Sequence, residues 1–252
     1  MSIALPAKTG TNVYQAVAMG AICLVVGLFC MKPFNPNGRI RDAVENRDFA
    51  AVESELKKGA NPNARFRKKG EQCYFSLLHC AVGGGETGYG DPRITELLLK
   101  SGAIVDDPDS DGRTPLMWSV KADSEASVAC SELLLKYGAD ITFKRDKTNA
   151  LYEASVSCHT NQIKLLLKNG AKVNATDDSG DTALHRLCRF GYLFNRAKQL
   201  PAIRVLLDGG ADSNMKNKDG LTPRDILVQE KTTDVISEYD AAIAARNRPA
   251  AP

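Results

Sequence analysis

Hydrophobic and polar positions divide the chain into two unlike parts. From Val13 to Met31 nineteen residues pass without a charge, and Lys8 and Lys32 bracket them. A helix of that length spans about 28 Å, close to the hydrocarbon thickness of a bilayer. No polar face interrupts it, as would be expected of a helix packed on a soluble core. The next residues, "KPFNPNGR", hold two prolines, two asparagines and a glycine and predict a linker over 32–38. Beyond Arg39 the apolar residues fall instead into short runs that repeat.

Five variants of one phrase recur: "LKKGANPNA", "LLLKSGAIVDD", "LLLKYGADITF", "LLLKNGAKVNA" and "LLDGGADSNM". Their Gly-Ala corners stand at 59/60, 102/103, 138/139, 170/171 and 210/211. A second phrase precedes all but the first, as "SLLHCA", "TPLMWS", "NALYEA" and "TALHRL", and closes the series as "TPRDIL". Repetition at this period is the mark of a stacked array. Threonine before "PL" or "AL" suits a helix N-cap, and a proline just after it sits where its missing N–H costs nothing. The corner glycine can take the left-handed conformation that ends a helix. "DDPDSDG", "KRDK", "TDDSG" and "KNKDG" are turn-formers joining one unit to the next. Each unit therefore reads as helix, turn, helix, tight loop.

"DGRTPL", "DSGDTALH" with "LLLKNGAKVNA", and "KDGLTP" resemble the ankyrin repeat family, over Arg39 to Asp240, about four-fifths of the chain. The resemblance implies an all-α solenoid of five to six antiparallel helix pairs with projecting β-hairpin loops. The expected organisation is an N-terminal tail (1–12), a transmembrane helix (13–31), a linker (32–38), the repeats (39–240) and a C-terminal tail (241–252). Such stacks bury a core only between neighbours, so their end units are atypical caps. The first unit lacks the second phrase, and the last carries Arg224 where leucine is expected. Leu78-His79 and Leu184-His185 keep the family's Leu-His pair, whereas other units place Met117, Tyr152 and Asp225 there. Three units carry extra residues, "GGGETGYGD", a stretch around "KADSEASVA", and "FGYLFNRAKQLP". These are expected to bulge at the helix–helix turn, with Pro92 and Pro201 reopening the second helix in its first turn.

Composition adds little and excludes something. Aromatic residues make up only 6%, so leucine, alanine, valine and isoleucine must build the core, which favours helices. A net charge of +3 is too small to argue for a nucleic acid partner. Cys23 and Cys30 lie in the apolar segment; Cys73, Cys80, Cys130, Cys158 and Cys188 follow no disulfide framework and read as free, mostly buried thiols, which favours a reducing compartment. "LFCMKPFN" offers no small-x-small cleavage site, and neither Phe29-Cys30 nor Ile22-Cys23 suits a lipoprotein signal. An uncleaved anchor is the reading that survives, in a cell (inner) membrane. Lys32, Arg39 and Arg41 outweigh Lys8 and the free amine, so the positive-inside tendency places the repeats in the cytoplasm by a narrow margin.

Candidate chemistry centres on "SGDTALHRLCRFG", where Asp181, His185 and Cys188 share a segment. Residues three apart share a helix face, so a hydrolase using His185 and Cys188 is one geometric option. The repetition of the phrase without that chemistry favours a structural histidine tying neighbouring loops together. No metal site, cofactor or small-molecule substrate is expected: three histidines close no ligand set, and "VGGGETGYGDPR" lacks the Gly-Lys-Ser/Thr ending of a phosphate loop. "RFRKKG" and "DDPDSD" put opposite charge on neighbouring loop tips, which suggests a surface shaped for one partner. The family resemblance implies a protein partner and no catalysis. Binding would fall to loop tips and inner helix faces, here Asp111, Arg113, Trp118 and Lys121 of the third unit, Arg145 and Lys147 of the fourth, and Ser179, Asp181, Arg186 and Arg189 of the fifth. A short span followed by repeats is also similar to bacterial anchored ankyrin proteins, some of which protect against a toxin or an oxidant.

Overall fold

The computed structural model describes residues 36–67, 74–84, 90–143, 148–194, 196–230 and 232–246. The expected anchor over 13–31, the cysteines 23, 30 and 73, and Arg145 and Lys147 lie outside the described residues. Among the described residues no helix is long and apolar enough to cross a membrane.

Helices follow in pairs: α1 (Pro36–Glu45) and α2 (Phe49–Lys57); α3 (Leu77–His79), continued by a wide turn over Cys80–Gly84, and α4 (Pro92–Lys100); α5 (Pro115–Ser119) and α6 (Glu125–Lys136); α7 (Ala150–Val156) and α8 (Thr160–Lys168); α9 (Ala183–Phe194) and α10 (Arg196–Asp208); α11 (Pro223–Gln229) and α12 (Thr233–Arg246). The starts are set by short polar side chains. Thr114, Asn149 and Thr222 each accept the backbone N–H three residues on, and Asp91 accepts those of Arg93 and Ile94. The ends are set by the Gly-Ala corners. Gly102 N–H returns to Leu99 and Ala103 N–H to Leu98, and the same pair of bonds recurs at 138/139, 170/171 and 210/211. This six-to-one and five-to-two closure needs a left-handed residue, and the corner glycines sit at φ between 87° and 93°.

One apolar core runs through the stack, from Ile40 and Val52 through Leu98, Leu134 and Leu166 to Leu206, Leu227 and Tyr239. Corners of adjacent repeats are tied by side chains. Asn63 accepts from Ile104 N–H (2.7 Å) and donates to the Gly102 carbonyl (3.0 Å), and Asn174 does the same to Asp212 (2.9 Å) and Gly210 (3.1 Å). Only the first loop forms strands among the described residues: β1 (Arg65–Arg67) pairs antiparallel with β2 (Tyr74–Ser76). Three later loops close without strands, through Asp109 N–H to Arg113 O, Asp177 N–H to Asp181 O and Asn217 N–H to Leu221 O, each backed by a glycine N–H returning to the same Asp or Asn carbonyl.

Four expectations change. The linker gives way early, since α1 opens at Pro36, where a proline suits a first helical position. Pro92 stands at the start of α4, but Pro201 lies inside α10 rather than in its first turn. The extra residues of the third and fifth units lengthen helices instead of bulging: α6 has 12 residues, α9 12 and α10 13, against 9 in α8. Finally, α12 runs past Asp240 to Arg246, carried by the alanines of "AAIAAR", the best helix formers. Arg224, unusual for its position, pairs in a two-pronged contact with Asp240 at 2.8 Å through each prong.

Candidate partner-binding site

The histidines come first, because they decide whether the site is chemical or adhesive. His185 is fully buried. Its Nδ1 accepts the Thr182 backbone N–H (3.2 Å) and faces the Thr182 hydroxyl (2.8 Å), so Nε2 carries the proton and donates to Leu221 O of the next repeat (3.1 Å). His79 repeats this with Ser76 and with Arg113 O (3.0 Å). Burial pushes both imidazole pKa values down and keeps the rings neutral. In the fourth unit the Tyr152 hydroxyl reaches the carbonyls of Ala175 (2.6 Å) and Asp181 (3.0 Å) in the same way. His185 and Cys188 therefore form no nucleophilic pair: both ring nitrogens are engaged, and burial raises the thiol far above its usual range. Cys80 is likewise pushed up to about 12, and Cys130 and Cys158 to about 11, by burial first, so these thiols are inert at neutral pH.

What is exposed lies on the loops and the inner helices, and it rests on two carboxylates that the motif reading passed over. Asp109, with no exposed side-chain surface, accepts from the Arg113 amide (2.8 Å), Arg113 Nε (3.0 Å) and the Trp118 indole N–H (2.8 Å). Burial alone would raise its pKa, but these donors together hold it below the usual carboxylate range. Asp177 is built alike, accepting from the amides of Ser179 (2.8 Å) and Asp181 (2.9 Å) and from Arg186, whose Nε lies at 3.0 Å. Its pKa is lowered against the same opposing burial, chiefly by Arg186. Trp118 and Arg186 each stand nine residues after their aspartate and occupy equivalent places. An aspartate five residues before the capping threonine, at 109 and at 177, was the available signal; Asn217 stands there in the last loop.

The third-unit cluster is aromatic and cationic. Trp118 is half-buried, packed on Phe75 and edge-on against His79. The Arg113 guanidinium lies 5.3 Å and the Lys121 ammonium 4.9 Å from its ring centroid. Lys121 has its pKa lowered, first by desolvation and then by Arg113. Asp111 holds the far prong of Arg113 at 2.6 Å. In the fifth unit Arg186 lies over the rings of Tyr152 and Phe190. Ser179 is exposed, and its carbonyl accepts Lys218 N–H of the next loop (3.0 Å). The loops touch so closely there that a Cβ on Gly180 would lie 2.9 Å from the Lys218 nitrogen.

Asp181 does not face outward. It is 4% exposed, bonded by Asn217 Nδ2 (2.7 Å) and paired with Arg189 at 3.4 Å, so it positions Arg189 and the loop. Of the opposite charges on the first two tips, Arg65 pairs with Asp107 and donates to Pro108 O (2.7 Å). Among the described residues no group of three or more His, Cys, Asp or Glu could hold a metal ion.

A stack of corner-closed helix pairs with histidine ties between its loops defines a class of repeat protein. A family model of ankyrin repeats in three copies matches residues 40–145 and 129–217, and the chain belongs to that family. It is 30% identical over 216 residues to the E3 ubiquitin-protein ligase KEG of Arabidopsis thaliana, covering 81% of this chain and 12% of that protein. It is 32% identical over 141 residues to the B-cell lymphoma 3 protein homolog of Mus musculus, covering 55% and 29%. The chain thus spans less than a third of either relative. Among solved structures, the ankyrin repeat protein EF0377 superposes with a TM-score of 0.65 at 21% identity, over 81% of this chain and 97% of that one. An ankyrin repeat domain from Acinetobacter baumannii AYE gives the same score and identity, over 81% and 96%. Repeats of this kind form a protein–protein interaction module, a scaffold generally without catalysis of its own.

Proposed function

We propose that this chain is a membrane-tethered binding module with no catalysis of its own, which holds another protein against the inner face and loop tips of its third to fifth repeats. The observation that carries this reading is the Trp118 cluster: a large aromatic left half-exposed, held in one orientation by Asp109 and flanked by Arg113 and Lys121. Trp and Arg are the residue types that dominate interface energetics, and a side chain already fixed loses little entropy on binding. Asp111, Arg113, Trp118, Lys121, Ser179, Arg186 and Arg189 contribute contacts; Asp181 acts through Arg189; Arg145 and Lys147, outside the described residues, join the proposal on sequence position alone. The tether is the uncharged stretch 13–31, and the repeats face the cytoplasm.

Two experiments test the two parts separately. Affinity capture from detergent-solubilised membranes should recover a protein with the native chain and lose it with Trp118→Ala, at an unchanged fold. Equal recovery by both, or none by either, counts against the surface. Alkaline phosphatase and fluorescent-protein fusions at the C-terminus read the topology: an active phosphatase overturns the cytoplasmic placement, and a chain that stays in the supernatant overturns the tether.

A further inference from the structure

The third and fifth repeats align on their capping threonines, Thr114 and Thr182. Four residues on stand Trp118 and Arg186, and seven on stand the cations Lys121 and Arg189. One residue before the cap the two units differ in sign: the fifth has Asp181, the third Arg113. In the fifth repeat the acid meets the cation, Asp181 pairing with Arg189 at 3.4 Å. In the third repeat the same place holds a second positive charge.

Lys121 is therefore left unmatched. Its side chain forms no ion pair and no hydrogen bond among the described residues, and its ammonium lies 4.9 Å from the Trp118 ring centroid. The neighbouring cations are matched, Arg113 by Asp109 and Asp111, Arg186 by Asp177. Glu153, Asp109 and Asp111 act on Lys121 only from farther off, and desolvation together with Arg113 outweighs them, so the lysine pKa is lowered. An ammonium partly withdrawn from water beside a like charge is unfavourable until an anion reaches it. Lys121 is exposed, so the anion can come from a partner.

We propose that the third repeat takes a carboxylate side chain, from an acidic segment of the partner protein, between Arg113 and Lys121 beside the Trp118 ring. This rests on the reading of the Trp118 cluster as a protein-binding surface. The partner's carboxylate does from outside what Asp181 does from within the fifth repeat. One negative charge is missing, and one carboxylate supplies it; a doubly charged phosphate would meet Asp111 and Glu153 as like charges. A second copy of this chain is the poorer source. In its densest acidic stretch, "DDPDSD", Asp106 accepts Asp140 N–H, Asp107 holds Arg65, Asp109 is buried and Asp111 holds Arg113.

The test selects a phage-displayed library of random, tryptophan-free twelve-residue peptides on the full-length chain in mild detergent, and in parallel on Trp118→Ala and Lys121→Glu. Peptides enriched on the native chain and not on Trp118→Ala should carry Asp or Glu at one aligned position. Lys121→Glu supplies the missing charge from within, opposite Arg113, so it should melt no lower than the native chain and lose the acidic preference. The enriched peptide, synthesised and titrated, should change the fluorescence of Trp118, the chain's single tryptophan, to saturation. Its affinity should fall about tenfold for Lys121→Met, and as much when glutamine replaces the peptide's acid. Trp118-dependent peptides with no acidic preference overturn this inference and leave the binding surface standing; no Trp118-dependent enrichment overturns both. Tighter binding of the peptide with phosphoserine at the acidic position overturns it in favour of a phosphopeptide, and concentration-dependent dimers dispersed by the peptide overturn it in favour of a second copy.

Discussion

In the third repeat the carboxylate of Asp109 receives the indole of Trp118; in the fifth, Asp177 receives the guanidinium of Arg186 from the equivalent place on the inner helix. The scaffold's demand at that place is small: one N–H able to reach the loop's buried acceptor. Everything else the side chain brings is free to answer to what binds. The third repeat uses the freedom for a flat apolar face between two cations, the fifth for a planar charge over two rings. Stability and recognition are thus written on different atoms of the same residues. The aspartates and histidines set the loops, and the residues they hold set the chemistry on offer.

The comparison breaks most severely if the ties beneath it are removed. His185→Ala should cost about 3 kcal/mol, because it strands the buried Thr182 N–H and Leu221 carbonyl together and leaves a cavity. Urea unfolding of the detergent-solubilised chain measures it, and a loss below about 1 kcal/mol would show that the loops hold without the ring. The same ties predict a pH profile. The folded-state pKa values of His79 and His185 are lowered, so their contribution is complete above the unfolded value of about 6.5 and is lost as pH falls below it. Asp109 and Asp177 also have lowered values, and theirs survives to about pH 4 before declining. Stability should therefore fall in two steps on acidification. Replacing both histidines with glutamine should remove the upper step, as melting temperatures across pH 7 to 3 will show. A smaller effect sharpens the account from the other side. Asp106 has a raised pKa, from burial first and from Asp140's charge as well, and lacks the donor that Asn63 and Asn174 offer. Asp106→Asn should stabilise the chain by about 0.5–1 kcal/mol at neutral pH, with a corresponding rise in melting temperature.

The repeats were legible because they are local and recur: threonine caps, corner glycines and Leu-His pairs each state their role within a few residues, and repetition confirms their phase. The candidate surface was less so. Trp118, Arg113 and Arg186 could be placed from the motif, but the aspartates that hold them act across a folded loop. Arg65 with Asp107 joins residues 42 apart, an ion pair that local sequence does not announce. Asp181 lies one residue before a helix-capping threonine, as a loop-tip contact would, yet its carboxyl is drawn inward by Asn217 of the next repeat. Pro201 misled for a related reason: prolines favour first turns, but an inserted stretch rich in helix formers lets the helix begin before it.

The most direct measurement exchanges the two solutions. Trp118→Arg gives the third repeat the fifth repeat's answer to the same carboxylate, so folding should survive within about 1 kcal/mol while recognition changes. Quantitative cross-linking from membranes, native chain against Trp118→Arg, should show a protein partner captured by the first and lost by the second at matched melting temperature. Equal capture by both would contradict the separation of scaffold from recognition.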